Sequence, residues 1–294
     1  MGDELIAIAS GALAARINPL GAELSSLTDA AGAEYMTDAD PAYWAGRAPL
    51  LFPIVGALAG GHLRHGGKEY ALARHGFARR SRFEVVAQTA SAVRLLLRDD
   101  AATRVAYPFA FALEMGFALE GLTLRMEARV RNPGGEALPF SFGYHPAFAW
   151  PLPGGGAKEA HLIRFAEAEP APIRRVGAAD GLLLPACQPS PVAGRDLALD
   201  EGLFAEDAVI WDQLASRALA YGSETGPWLD IAFPDSPQLG LWQKPGGRFL
   251  CIEPWAGHAD PEGFAGDLAE KPGIILLAPG AERAFRMDVS LRPL

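Results

Sequence analysis

The stretch FALEMGFALEGLTLRMEARVR, residues 111–131, carries the clearest structural pattern in this 294-residue chain. Apolar side chains recur at every second position in both halves of it, at Phe111, Leu113, Met115, Phe117, Leu119, Leu122, Leu124, Met126, Ala128 and Val130. A two-residue period places alternate side chains on opposite faces of a β-strand. The short Glu120-Gly121 link between the halves has the length of a tight turn, so the stretch predicts an antiparallel hairpin.

Other segments repeat this alternation and predict further strands. They are SAVRLLLRD at 91–99, FLCIEPW at 249–255 and FRMDVSLR at 285–292. Convincing helices are scarce, because Gly and Pro interrupt Ala-rich stretches such as residues 28–46, which leaves room only for short helical turns. Many short strands without a βαβ rhythm favour an all-β fold, a large antiparallel β-sandwich.

The best candidate for an internal boundary is the loop-like region 151–202, which is rich in Gly and Pro. The strand-like HLIRF at 161–165 interrupts this region, so we do not divide the chain there. Residues 1–294 are therefore predicted to form a single domain.

The charge balance limits the choice of partner. The chain has 35 acidic and 26 basic residues, a net charge of −9. This lacks the positive surface that binding to nucleic acid or an anionic membrane normally needs, so a small-molecule partner is favoured. MGDELIAIAS at residues 1–10 has no basic segment followed by an apolar run, and no stretch of eighteen apolar residues occurs, so we expect a cytoplasmic protein.

The metal-binding residue types give little support for a metal site. Cys187 and Cys251 are far apart in the sequence, which supports neither a disulfide framework nor a zinc knuckle; both are interpreted as buried free thiols. His62 and His65 have a spacing of three, but no neighbouring carboxylate or cysteine accompanies them, and adjacent glycines suggest a hairpin loop. The sequence thus predicts no metal.

Three polar segments could carry chemistry. The first is RHGFARRSRF at 74–83, where His75 lies among arginines and precedes Gly76, which tolerates unusual backbone angles. A solvated loop is the simpler explanation of this segment alone. Arg47, upstream in WAGRAPLLFPIVGAL, would on its own be interpreted as a surface residue.

The second and third segments combine an ionisable group with aromatic residues. In PFSFGYHPAFAW, residues 139–150, His145 lies among aromatic rings that could stack on a sugar or a base, and Pro146 restricts its backbone to extended angles. In FLCIEPWAGHAD, residues 249–260, Glu253 ends an apolar run, where a carboxylate is costly unless it is paired or lies in a pocket. A core histidine and a glutamate at a strand edge are the structural alternatives.

Taken in order, APLLFPIVG (48–56), RHGFAR (74–79), FGYHPAF (142–148) and CIEPWAGHAD (251–260) resemble the aldose 1-epimerase (galactose mutarotase-like) family, especially its LacX-like branch. The likeness extends from about Asn18 to the EKPGIILLAPGAERAF segment near the end. The resemblance implies the β-supersandwich fold and a reaction that interconverts the α and β anomers of an aldose without metal or cofactor.

The resemblance also implies roles for particular residues. Glu253 is expected to act as the base on the C1 hydroxyl, His145 as the acid on the ring oxygen, and His75 as a hydrogen-bonding partner of that oxygen. The residues expected to bind substrate are Arg47, Arg79, Asp207, Trp255 and Phe142, with Asp212 a weaker alternative to Asp207. GRAPLLFP keeps only part of the family's motif around Arg47.

Two alternatives stay open from the sequence. Arg47 and Arg79 together would suit a phosphate, as in the family's hexose-6-phosphate branch, so the substrate is either a free or a phosphorylated aldose. A noncatalytic carbohydrate-binding protein on the same fold is the second, because a fold does not fix a function. The sequence leaves the oligomeric state open.

Overall fold

The computed structural model describes residues 4–294, and strands dominate that part of the chain. In chain order the strands are β1 (Ile6–Ala9), β2 (Leu13–Asn18), β3 (Glu23–Asp29), β4 (His62–His65), β5 (Lys68–Ala71), β6 (Glu84–Gln88), β7 (Ala92–Arg98), β8 (Ala112–Glu120), β9 (Thr123–Arg131), β10 (Leu138–Phe140), β11 (Phe142–Gly143), β12 (Ala147–Ala149), β13 (His161–Phe165), β14 (Ile173–Val176), β15 (Leu183–Gln188), β16 (Asp196–Ala198), β17 (Val209–Trp211), β18 (Ala218–Ser223), β19 (Trp228–Ala232), β20 (Gln238–Trp242), β21 (Phe249–Ala256), β22 (Ile275–Leu277) and β23 (Glu282–Arg292).

Helical structure is confined to short pieces in the described residues. The α-helix, α1, spans Ala101–Ala106, and Asp100 caps it by accepting a hydrogen bond from the Thr103 amide. Single 3₁₀ turns lie at Ala59–Gly61, Ala78–Arg80, Lys158–Ala160, Glu201–Phe204 and Leu268–Glu270. No helix within residues 4–294 is long and apolar enough to span a membrane.

Two large antiparallel sheets form the body of the fold. One has nine strands in the order β16-β13-β18-β19-β23-β9-β8-β7-β6, and the other follows the path β11-β21-β20-β17-β14-β15, with β12 also paired to β21. Three smaller sheets have the strand orders β1-β2-β3, β4-β5 and β10-β22. The predicted all-β antiparallel sandwich is confirmed.

The hairpin at 111–131 forms the middle of the nine-stranded sheet. Strands β8 and β9 pair antiparallel from Ala112 opposite Arg131 to Glu120 opposite Thr123. The turn is therefore Gly121-Leu122, one residue later than the sequence suggested, and Leu122 lies exposed in it. The alternating apolar side chains of both strands are buried, as the pattern predicted.

The main core lies between the two large sheets. Phe165 of β13 contacts Trp211 of β17, with ring centroids 5.6 Å apart, and Phe142 of β11 stacks on Phe285 of β23 at 5.1 Å. The largest cluster of buried apolar side chains runs in sequence from Ile8 to Leu291. This continuous core favours one domain; for residues 1–294, of which 1–3 lie outside the described part, that remains a prediction.

The seven-stranded sheet also has an occupied second face. On β21, Leu250 and Ile252 belong to the main core, whereas Cys251, Glu253 and Trp255 point to the opposite side, because strand side chains alternate. This second face is covered by loops and carries the cavity described below. It explains why β21 is buried along its whole length rather than alternately.

Within the region 151–202, the strand-like HLIRF at 161–165 is strand β13 as predicted, but the rest of the region is not simply a loop. The region contains β13, β14, β15 and β16, which lie in the two large sheets. Strands β15 and β16 are edge strands, and Gly and Pro separate the four strands, so no long apolar alternation marks them.

Candidate active site

A cavity of about 310 Å³ lies on the second face of the seven-stranded sheet. Strands supply one wall and loops the other, with lining residues Trp44, Val55, Gly56, Arg74, His75, Arg79, His145, Val176, Gly181, Leu183, Asp207, Ala208, Ile210, Trp242, Glu253, Trp255, His258 and Ala259. Mostly apolar walls with a few convergent polar groups are typical of small-molecule sites. Residues far apart in the sequence, including all three predicted acid-base residues, meet here.

Glu253 and His145 form a buried pair in this cavity. The His145 Nε2 lies 3.3 Å from the Glu253 Oε1, and the two side chains are only 10 % and 3 % exposed. Burial raises the pKa of Glu253 well above its usual value, an effect that the positive charge of Arg74 opposes and that of Asp207 reinforces. Burial lowers the pKa of His145 to about 3, and the charges of Arg79 and Arg74 act in the same direction.

Tryptophans surround the imidazole of His145. The Trp44 ring stacks on it, with centroids 5.1 Å apart and planes inclined by 28°, and Trp242 meets it edge-on at 6.1 Å. Trp44 comes from the loop after β3 and Trp242 from the end of β20. These rings keep water from the imidazole and offer apolar faces to a ligand.

His75 is held in a defined tautomer by the backbone. The Gly56 amide donates a hydrogen bond to the His75 Nδ1 over 3.1 Å, so the proton of a neutral ring sits on Nε2. Burial lowers the pKa of His75 well below its usual value, and the charges of His145, Arg74 and Arg79 add to the effect. His75 is therefore a neutral hydrogen-bond donor at neutral pH.

The loop that carries His75 depends on glycine at the next position. His75 and Gly76 both have positive φ angles, 66° and 70°. A Cβ at position 76 would lie 2.2 Å from the carbonyl oxygen of Phe52, so no other residue fits without moving the chain. This close approach brings the His75 loop against the segment before Gly56.

Cations and carboxylates share the remaining polar surface. Arg74 and Arg79 line the cavity, and the Arg79 Nη2 donates to the Arg74 carbonyl over 3.1 Å. Asp207 also lines the cavity, from a backbone with a φ of 66°, and its own Oδ1 accepts a hydrogen bond from the Ala208 amide. Among residues 4–294, the buried Nε of the cavity residue Arg79 lacks a hydrogen-bond partner.

Trp255 lies in a slot that two glycines leave open. It lines the cavity as predicted, and its indole passes beside Gly143 and Gly240 on the neighbouring strands β11 and β20. A Cβ at position 240 would come within 2.5 Å of the indole ring. The ring is thus fixed by the sheet itself.

Two residues predicted to bind substrate lie outside the cavity, so these two predictions need correction. The Arg47 guanidinium donates a hydrogen bond to the carbonyl of Thr37, and the Arg47 backbone amide donates one to the Glu23 carboxylate. Arg47 therefore helps to hold the 38–47 loop in place. Phe142 is fully buried between the sheets, because its position on β11 points into the main core rather than to the second face.

Asp212 is also engaged elsewhere. Its carboxylate accepts from Arg174 over 2.7 Å, and that guanidinium also donates to the carbonyl of Leu184. Asp207 lines the cavity, so of the two alternatives it is the one in position to meet a ligand.

Other sequence interpretations change with the fold. Cys251 is buried but Cys187 is exposed, so only one thiol is buried as expected. His65 does have carboxylate neighbours, because the fold brings Glu136 and Asp267 each within 3.6 Å of a ring nitrogen. Neither carboxylate is near His65 in the sequence.

Some cavity residues were not predicted. Arg74 was noted only as part of the basic cluster, whereas Trp44, Trp242 and the apolar side chains of β14, β15 and β17 gave no local sign of a site. Trp242 ends strand β20 on the face opposite Leu239 and Leu241, and an aromatic residue there is equally typical of a core strand.

Comparison with known proteins defines the class. The family model described as aldose 1-epimerase matches residues 4–289. The plasmid-encoded protein LacX of Lactococcus lactis subsp. lactis is 33 % identical over 276 residues, covering 91 % of this chain and 92 % of that protein. These matches and the sandwich with its cavity define a sugar-epimerase type of protein.

Solved structures agree with the fold. A galactose mutarotase related enzyme from Lactobacillus acidophilus is 31 % identical, with a TM-score of 0.89 and coverage of 98 % of this chain and 97 % of that one. A galactose mutarotase-like protein from Lactobacillus casei ATCC 334 is 28 % identical, with a TM-score of 0.91 and coverage of 98 % and 100 %. The chain belongs to the aldose 1-epimerase family, which implies a sugar substrate and an isomerase type of activity.

Proposed function

We propose that the protein interconverts the α and β anomers of an aldohexose by opening and reclosing the sugar ring. The observation that carries this proposal is the buried contact between the His145 Nε2 and the Glu253 Oε1 inside a cavity walled by aromatic rings. Anomer exchange requires one group that accepts a proton from the C1 hydroxyl and another that protonates the ring oxygen. The pair supplies both.

The number of protons on the pair suits this reaction. Glu253 and His145 together share one ionisable proton in both forms. In the charged form His145 is protonated and Glu253 is ionised, and in the uncharged form Glu253 carries the proton and His145 is neutral. Burial raises the pKa of Glu253 and lowers that of His145, so it favours the uncharged form of the pair. Hydrogen bonds from sugar hydroxyls would supply the polar surroundings in which the charged form is reached.

The proposed step conserves protons and electron pairs. Glu253 removes the proton from the C1 hydroxyl, the C1–O5 bond breaks as C1 becomes a carbonyl carbon, and His145 protonates O5. The pair is then in its uncharged form. Rotation about C1–C2 exposes the other face of the aldehyde, and the reverse transfers close the ring as the opposite anomer.

The remaining cavity residues would orient the ring. Neutral His75, with its proton on Nε2, would donate a hydrogen bond to O5 in both anomers, which stabilises negative charge on that oxygen as the bond breaks. Asp207 would accept hydrogen bonds from sugar hydroxyls, and Trp255 would pack against an apolar face of the ring.

Replacement of the base tests the proposal. We expect Glu253→Gln to lower kcat for anomer exchange by about 10²- to 10⁴-fold, because the amide keeps the shape but cannot accept the proton. Polarimetry of freshly dissolved α-glucose and α-galactose measures the rate. Glu262→Gln, at an exposed position, is the matched control. Sugar binding by calorimetry without any acceleration by the native protein would contradict the enzyme and favour the noncatalytic binding protein.

A phosphorylated aldose is a second candidate substrate. Arg74 and Arg79 both line the cavity, and the buried Arg79 Nε has no hydrogen-bond partner among the described residues. We expect Arg79→Ala to lower kcat/KM about 10- to 100-fold more for glucose 6-phosphate than for glucose if a phosphate binds there. Arg80→Ala, at an exposed neighbouring position, is the control. Equal losses for both sugars would argue for an unphosphorylated substrate.

A further inference from the structure

Three side chains with different donor atoms converge beside the cavity. A ring nitrogen of His145, the sulfur of Cys251 and a carboxylate oxygen of Glu253 all lie within 4.8 Å of one another, and all three residues are buried. Cys251 and Glu253 are two positions apart on β21, so they share a face. Strand β12 pairs with β21 so that Ala147 lies opposite Cys251, which brings His145 to the same place.

This donor set is suited to a thiophilic divalent cation. Zn²⁺ is commonly bound by imidazole nitrogen, thiolate sulfur and carboxylate oxygen, and exchangeable or catalytic sites use three protein ligands with the fourth position open. Tetrahedral bonds of about 2.0–2.3 Å place neighbouring donors roughly 3.3–3.8 Å apart, so modest side-chain movements would close the site around an ion. The cavity that His145 and Glu253 line would supply the open position.

Cys251 has no role in the proposed reaction. Its side chain packs with Ala147 and Phe249 on the second face of the sheet, where another small apolar residue would also fit. A sulfur beside the acid-base pair is chemically distinctive, because thiolate selects Zn²⁺ and related ions over Mg²⁺ and Ca²⁺.

We propose that His145, Cys251 and Glu253 form an inhibitory site for Zn²⁺ or a similar thiophilic divalent cation, which excludes substrate by occupying the acid-base pair. Two protons leave as the ion binds, the thiol proton of Cys251 and the proton that Glu253 and His145 share. Cys251 becomes a thiolate, Glu253 a carboxylate and His145 a neutral ligand. The binding site stands on the geometry alone; only the inhibition rests on the proposed function.

Titration of the chelator-treated, full-length protein with Co²⁺ tests the site without any activity measurement. We expect one equivalent of Co²⁺ to produce a near-ultraviolet charge-transfer band that reports a cobalt–thiolate bond. Cys251→Ser should abolish the band, and Cys187→Ser, which alters the exposed thiol, should retain it. Absence of the band from the native protein, or its loss in Cys187→Ser alone, would overturn the proposal. Cys251→Ala replaces Cys251→Ser if the latter does not fold.

Kinetics test the inhibition. We expect Zn²⁺ to inhibit anomer exchange competitively with sugar, with full recovery on addition of EDTA. Cys251→Ser should raise the half-inhibitory Zn²⁺ concentration about 10- to 100-fold while the metal-free rate stays within about twofold. Unchanged Zn²⁺ sensitivity in this variant would refute the inhibitory site. If the native protein exchanges no anomers, the proposed function fails, and the cobalt titration still decides whether the metal site exists.

Discussion

At the scale of single residues, burial decides which form of each histidine the cavity holds. His75 accepts a backbone hydrogen bond at Nδ1, and His145 is enclosed by two tryptophans, so both rings are neutral at neutral pH. The folded state therefore binds fewer protons than the unfolded state once the pH falls below about 6.5, the ordinary histidine value. Stability contributed by these rings is present above that pH and is lost on acidification.

His75→Asn should weaken this acid sensitivity. The Asn carbonyl can still accept from Gly56, but it does not titrate. We expect the fall in free energy of unfolding between pH 7 and pH 4.5 to shrink by about 1–2 kcal/mol, measured by urea denaturation at a series of pH values. His62→Asn, in the β4–β5 hairpin, is the control. Parallel pH curves for the native protein and His75→Asn would show that the ring is protonated without cost in the folded state.

Glu253 and His145, which the sequence predicted to be site residues and which line the cavity, both have unusual neighbours in the sequence. Glu253 interrupts an apolar strand and His145 precedes a proline among aromatics, so each is conspicuous by itself. Arg47 and Phe142 have equally suggestive neighbours but point away from the cavity, and that direction depends on pairing between distant strands. Trp44 was missed because only the folded loop brings it against His145.

At the scale of elements, one glycine fixes how the His75 loop meets the core. We expect Gly76→Ala to destabilise the protein by at least about 3 kcal/mol, because a Cβ there meets the Phe52 carbonyl and φ is 70°. Gly66→Ala is a matched control, since Gly66 has a φ of 58° but open space around a Cβ, and should cost about 1–2 kcal/mol. Equal costs, measured by chemical denaturation, would mean that backbone strain rather than the collision dominates.

Long strands were easier to predict from the sequence than short ones. The nine-residue strands β8 and β9 each carry four alternating apolar residues, enough to predict both the strands and their pairing. Strands β14 and β16 have four and three residues, too few for a period to emerge from local composition. Strands β14 and β16 form because they pair with neighbouring strands in the two large sheets. That pairing is with residues outside their own local sequence, so the sequence of 151–202 alone does not reveal it.

At the scale of the whole molecule, Tyr144 ties the two large sheets together. It follows β11, and its hydroxyl donates to the carbonyl of Phe285 on β23 while accepting from the amide of Ala128 on β9. We expect Tyr144→Phe to lower the free energy of unfolding by about 1–3 kcal/mol, because both backbone groups are buried. Urea denaturation measures it, with Tyr43→Phe at the surface as control. If Tyr144→Phe lowers the free energy of unfolding no more than the control does, the Ala128 amide and the Phe285 carbonyl hydrogen-bond to each other in the variant.

The alternation along β21 has a practical consequence for mutational scanning. The side chains of Leu250 and Ile252 support the sandwich, whereas those of Glu253 and Trp255, on the opposite face of the strand, line the cavity. A scan across this single strand should therefore lower abundance at Leu250 and Ile252, and lower turnover per folded molecule at Glu253 and Trp255. Eight consecutive residues would then separate folding defects from catalytic defects within one experiment.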